Sequence, residues 1–211
     1  MTMNNPIQTR AGENYLTEAE EKALFATIKG RKGKQAERDF ALLKMCRHTA
    51  LRRGEAIALN VGDVTDNGVT IKNQLVVDER IAKKGATGAV YMNKDLREIL
   101  AAHLRRKRTW GESLAADAPL FVSKKGGRIG ARTFNDLMGN WCREAGINIY
   151  TPHALRHTKA HRIIADLINL LPEEQQQKLQ FCAEQLRHKA FSSTMIYTKP
   201  TKEQMERVGG I

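Results

Sequence analysis

Residues 35–59, QAERDFALLKMCRHTALRRGEAIAL, carry the reading on which the rest of the fold depends. From Gln35 to Ala50 the apolar residues Phe40, Leu43 and Cys46 recur at helical spacing, so one face of a long helix is predicted to be buried. A second, short helix is predicted from about Arg53 to Leu59, ending before a turn at Gly62. On the amino-terminal side, Lys29-Gly30-Arg31-Lys32-Gly33-Lys34 reads as a basic, glycine-bounded loop. Before it, Thr17-Glu18-Ala19-Glu20 has the pattern of a capping box opening a helix toward Ile28, while residues 1–16 are polar, aperiodic and expected to form a flexible tail. On the carboxyl-terminal side the character changes. β-Branched residues cluster at Val69 to Ile71, Val76 to Val77 and Val90 to Met92, with turn-forming Asn73, Gly85 and Gly88 between them, which predicts a small antiparallel sheet or hairpin.

Helices resume after the hairpin. Asn93 is placed to cap a helix reaching about Arg108, whose cationic last turn (Arg105, Arg106, Lys107, Arg108) suits the negative end of a helix dipole. Leu120 to Ser123 reads as a short strand, Lys124 to Arg128 as a basic turn, and Arg132 to Ala145 as a helix stopped by Gly146. Thr151 followed by Pro152 predicts the start of another helix, running through Ile168. Leu171 to Gln185 is acidic and rich in glutamine. These elements describe one mainly helical α+β domain over residues 17–211.

Composition narrows the partners. The 211 residues suit about one domain at ~100 to 200 residues each. Lys and Arg number 35 against 23 Asp and Glu, and the resulting +12 favours a polyanion. Hydrophobic residues at 41% exclude a wholly disordered basic tail. The most apolar run, Ile163 to Leu171, is broken by Asp166 and Asn169 and is too short to span a bilayer, so no membrane partner is expected. Met1 to Arg10 lacks the charged-then-apolar order of a secretory signal, and a cytoplasmic location is expected. Cys46, Cys142 and Cys182 are odd in number and far apart, which argues for buried thiols over disulfides or a Cys-x-x-Cys metal site.

Four separated segments hold cationic or proton-transferring groups: Arg52 at a helix start, Lys83 and Lys84 in the hairpin, His153 with Arg156 in a first helical turn, and His188 with Tyr197 nine positions on. Thr49-Ala50-Leu51-Arg52-Arg53-Gly54-Glu55, His153-Ala154-Leu155-Arg156-His157-Thr158, Leu186-Arg187-His188 and Tyr197-Thr198 resemble, in order and spacing, the signature of the tyrosine recombinases, the phage integrase family. The resemblance covers about residues 17–200. Each segment alone is a weak signal; all four in order are a strong one.

The resemblance implies a site-specific recombinase that cleaves DNA through a 3′-phosphotyrosyl ester on Tyr197, with Arg52, Lys83, His153, Arg156 and His188 as the other catalytic residues. Glu55 would support Arg52, and a one-residue gap makes Lys84 the alternative to Lys83. It further implies double-stranded DNA as partner, a homotetramer on two DNA sites that is monomeric or weakly associated when free, and no metal, nucleotide or other cofactor. Arg31, Lys32, Lys34, Arg53, Lys124, Lys125, Arg128 and Arg187 are the candidates for contacts with DNA phosphates. The chemistry fits these residue types. Guanidiniums are planar and always charged, so Arg52 and Arg156 suit the non-bridging oxygens of a phosphorane-like transition state. A tyrosine of pKa ~10 is only about 0.1% ionised at neutral pH and needs a base, a role His153 can fill. A lysine on a hairpin can protonate the departing 5′ oxygen.

The sequence departs from the family pattern in four respects. Ala50 stands where Gly is common, and Arg187 stands where Gly usually precedes the histidine. His188 lies 32 positions after Arg156, several more than usual, and the excess is assigned to Asn169 to Gln180. The usual amino-terminal helical clamp domain is not in the sequence, which suggests an isolated catalytic domain or a likeness to the short recombinases of fimbrial phase switches. Two rival readings follow: a catalytically silent DNA-binding descendant, and a relaxing topoisomerase with the same chemistry. His153, His157 and His161 lie four apart but lack the carboxylate of a His-Glu-x-x-His site, so no metal is assigned and His161 is expected to pack or to be solvated. Cys46 and His48 face different directions on a helix and cannot pair as nucleophile and base. Trp110 and Trp141 are read as packing residues.

Overall fold

The computed structural model describes residues 14–82 and 87–165, together with positions 174, 177, 179–181 and 184. The described chain forms α1 (Glu18–Gly30), α2 (Lys34–Thr49), α3 (Arg53–Ala58), α4 (Val61–Val64), β1 (Thr65–Asp66), β2 (Thr70–Ile71), β3 (Gln74–Val77), β4 (Gly88–Tyr91), α5 (Lys94–Thr109), α6 (Ala131–Glu144) and α7 (His153–Ala165). It is a mainly helical fold with two small antiparallel sheets, β1 with β2 and β3 with β4, the α+β class expected.

The central helix is α2, which packs against α1, α5 and α7. Leu42, Leu43 and Cys46 on it have no solvent exposure, and shortening such a leucine to alanine costs ~2 to 5 kcal/mol. Its face is wider than the stripe predicted, because three helices surround it. The capping box of α1 forms as read: the Thr17 amide donates to Glu20 Oε2 at 2.9 Å and the Thr17 hydroxyl oxygen accepts from the Glu20 amide at 3.2 Å. The expected loop at 29–34 shrinks to 31–33, since Lys29 and Gly30 complete α1 and Lys34 opens α2. Cys46 and Cys142 are buried thiols; Cys182 lies outside the described residues.

Three local expectations are corrected, and one burial on α5 goes beyond what the sequence indicated. Gly62 lies in α4, not in a turn. Its amide donates to the Ala116 carbonyl at 2.9 Å, and a Cβ on it would meet Ala116 Cβ at 2.9 Å, so only glycine admits the 115–118 segment this close. Leu120 to Ser123 form no strand. They make single bridges instead, Asn60 with Pro119 and Val122 with Arg128, while Leu120 and Phe121 sit in the core. The cationic end of α5 is not all surface: Lys107 is 1% exposed, its ammonium between the Glu112 carboxylate at 2.9 Å and the Pro119 carbonyl at 3.1 Å. Finally, Tyr15 and Leu16, expected in the flexible tail, are packed on α7, Leu16 being buried and the Tyr15 ring stacking on His161.

In β3 and β4 the alternation is clean. Leu75, Val77 and Val90 face inward, Val76 and Tyr91 outward, in the register Gln74 to Tyr91 through Val77 to Gly88. Asn93 caps α5 by accepting from the Leu96 amide at 3.1 Å. Gly146, at φ 67°, follows the end of α6. Helix α7 starts at His153, one residue later than read, with the Thr151 carbonyl accepting from the Ala154 amide; its expected continuation to Ile168 passes beyond the described residues.

Candidate active site

The site is built where α2 ends. Ala50 takes the left-handed conformation, φ 55° and ψ 26°, with its amide on the Cys46 carbonyl at 2.9 Å. That reversal turns the chain sharply, and Leu51 is buried behind it while Arg52 emerges as the extended residue that caps α3. Glu55, with no exposure, holds Arg52 twice: one carboxylate oxygen accepts the Arg52 amide at 2.8 Å and the other accepts its guanidinium at 3.0 Å. A fully buried carboxylate is tolerable only with such partners. The arginine is thereby fixed at backbone and head, with its side chain still 29% exposed.

Arg156 arrives from α7, 106 positions later in sequence. It is 2% exposed, and its Nη1 donates to the Ala50 carbonyl at 2.6 Å. A cation here also meets the negative end of α2. The two guanidiniums are thus anchored two residues apart on one stretch of chain. His153 lies one turn before Arg156 at the exposed start of α7. Its pKa falls below the ordinary 6.5, first because of burial and then because the Arg156 and Arg52 charges oppose protonation. The imidazole is therefore neutral at pH 7, the state in which it can accept a proton. His157 packs edge-on against it, ring centroids 4.5 Å apart at 85°.

The structure brings Arg52, Glu55, His153 and Arg156 together. Lys83, Lys84, Arg187, His188 and Tyr197 lie outside the described residues. The basic residues divide. Arg53, Lys32, Lys124 and Lys125 are exposed and make no hydrogen bond or ion pair among the described residues. Arg31 pairs with Glu144, and Lys34 with Glu112 at 2.8 Å. The Arg128 guanidinium donates to the Ile57 and Leu59 carbonyls at 2.8 and 2.9 Å and to Asn60 Oδ1, so this exposed residue closes the end of α3. Trp141 does more than pack: its indole N–H donates to Asp39 Oδ2 at 2.9 Å, while Asp39 Oδ1 takes two bonds from Arg38. No periodicity marks that pair in advance, because a buried ion pair on a core helix reads as surface polarity in a sequence.

A helical core with small antiparallel hairpins thus gathers two arginines and a histidine at one helix junction. The chain belongs to the phage integrase family, whose sequence profile matches residues 14–204. It is 27% identical over 173 residues to tyrosine recombinase XerC of Bifidobacterium longum subsp. infantis, covering 82% of this chain and 46% of that one. With XerC of Chromobacterium violaceum it shares 30% over 190 residues, covering 88% and 56%. The chain therefore spans about half the length of these relatives. Among solved structures, the XerA recombinase superposes with a TM-score of 0.69 at 24% identity over 93% of this chain and 64% of that chain. XerH bound to its difH substrate gives 0.69 at 20% identity, over 94% and 54%. No described helix is long and apolar enough to cross a membrane.

Proposed function

We propose that this protein is a site-specific DNA recombinase acting in the cytoplasm without metal or nucleotide. The observation that carries the reading is the bond from Arg156 to the Ala50 carbonyl, which sets both guanidiniums beside the neutral His153. Such a group of cations suits a scissile phosphate, because charge on the non-bridging oxygens grows toward the transition state.

In this reading Tyr197 attacks the phosphorus, the new Tyr–O–P bond forms as the P–O5′ bond breaks, and the phenolic proton passes to His153. Lys83, or Lys84 in its place, protonates the departing 5′ oxygen. Arg52, Arg156 and His188 hold the non-bridging oxygens. The ester keeps the bond energy, so a 5′-hydroxyl from a second strand can reverse the step and religate. Four protomers on two duplexes would supply the strands; XerH bound to difH substrate and the Tn1549 transposon integrase in complex with circular intermediate DNA share the fold of this chain.

The test is a suicide duplex whose cleaved 5′ fragment diffuses away. Wild-type protein is expected to form a denaturation-resistant adduct, and Tyr197→Phe to abolish it while retaining duplex binding. Equal adduct from both proteins refutes the nucleophile. The rival, a silent DNA-binding descendant, draws on Arg187 and the long Arg156 to His188 spacing, and it predicts duplex binding with no adduct from either protein.

A further inference from the structure

The segment just before α1 lies along α7 and touches it at several levels. The Tyr15 ring stacks on His161 with centroids 3.9 Å apart at 15°. The Leu16 amide donates to the Thr158 hydroxyl at 2.9 Å, and that fully buried hydroxyl in turn donates to the Ala154 carbonyl at 2.8 Å. Glu20 then does two jobs with one carboxylate. Besides capping α1 through Thr17, it accepts from the Tyr150 hydroxyl at 3.0 and 3.1 Å and from the Asn148 side-chain amide at 3.2 Å. Tyr150 is 8% exposed and stands three residues before His153. Capping alone needs only part of this; the remaining acceptor capacity is spent on the loop that launches α7.

We infer that Glu20 is a positioning residue for the reaction: with Tyr15 and Leu16 it forms a strap that sets where α7 begins, and so where His153 and Arg156 meet the phosphate. The inference rests on the proposed roles of those two residues. Rates of this kind are sensitive to placement, since an offset of ~1 Å in a catalytic group can cost about 10²-fold. Arg156 is held at its head by its bond to the Ala50 carbonyl, while the strap holds the helix that carries it. Loosening the strap should therefore slow chemistry without weakening the DNA contacts made by distant lysines.

The experiment compares full-length wild type, Tyr150→Phe, Tyr15→Leu, Glu20→Gln and Arg156→Ala in single-turnover adduct formation at saturating duplex. Tyr150→Phe loses one hydroxyl and keeps its ring. It is expected to slow adduct formation about tenfold, with duplex Kd changed less than twofold; Tyr15→Leu and Glu20→Gln, which leaves one acceptor oxygen where the carboxylate uses both, are expected to shift in the same direction. A substrate with a neutral methylphosphonate at the scissile position supplies the readout that a general loss of folding would not move. It has no anionic oxygen for a displaced Arg156 to miss, so the Tyr150→Phe defect should shrink on it to less than threefold. Wild-type rates in both Tyr150→Phe and Tyr15→Leu, or equal losses on the two substrates, overturn the inference. If Arg156→Ala itself forms adduct at the normal rate, the site reading fails instead; if Arg156→Ala is impaired and the strap variants are not, only the strap fails.

Discussion

Ala50 adopts a backbone conformation that costs an L-residue roughly 1 kcal/mol or more, yet its carbonyl is the anchor for Arg156. Ala50→Gly should relieve that strain but lose a fully buried methyl worth about 0.8 kcal/mol, so the thermal midpoint should move little and adduct formation should be unchanged. Arg156 is the opposite case, a buried cation whose geometry matters more than its charge. Arg156→Ala should lower single-turnover cleavage about 10² to 10³-fold, and Arg156→Lys should recover only part of it, because an ammonium lacks the planar fork. For His153 the burial and the two guanidiniums favour the neutral ring, so the acid limb of the cleavage rate should fall below pH 6.5. An acid limb above 6.5 in a pH–rate profile would contradict its assignment as base.

Helix α3 is only six residues long and could not persist alone; its start is held by its own Glu55 and its end by side chains from elsewhere. Glu55 closes the start around Arg52, while Arg128 binds the Ile57 and Leu59 carbonyls and Arg80 the Ala58 carbonyl at the other end. Arg128→Ala is therefore expected to destabilise the fold by about 1 to 2 kcal/mol in denaturant unfolding, discounted for its partial exposure. It should leave the salt dependence of duplex binding unchanged. Lys124→Gln and Lys125→Gln, on the neighbouring exposed turn, should do the reverse, each lowering the slope of log K against log salt by about 1 and leaving stability alone. An Arg128 variant that flattens the salt slope would show that this residue also meets the duplex.

Taken whole, the fold keeps two imidazoles neutral in acid. His103 donates from Nε2 to the Leu120 carbonyl at 3.0 Å and is 3% exposed; burial pushes its pKa down to about 4. His48, lowered to about 4 by burial and then by Lys44, Arg47 and Lys159, behaves alike. Unfolded chains bind these protons near 6.5, so between about 4 and 6.5 the unfolded state holds more protons and stability rises with pH. The stability is complete above 6.5 and is lost as the pH falls toward 4, by roughly 3 kcal/mol for His103 alone at ~1.4 kcal/mol per pH unit. Unfolding free energies at pH 4.5 and 7 test this, and His103→Gln should flatten the difference. The helices, their caps and the order of the chemical groups were legible in the amino-acid order because they are set by contacts within a few residues: Thr17 with Glu20, Asn93 with Leu96, the stripe on α2. The Arg52–Glu55 contact is equally local, though it is the family resemblance and not the pattern of residues that points to it. What only the tertiary structure decided is which distant groups face each other. The meeting of Arg156 with Ala50, the burial of Lys107, the bonds of Arg128 to the end of α3 and the packing of Tyr15 on α7 all depend on how helices cross, and a linear pattern of charge and hydropathy does not encode where a long flexible side chain finds its counter-charge or carbonyl.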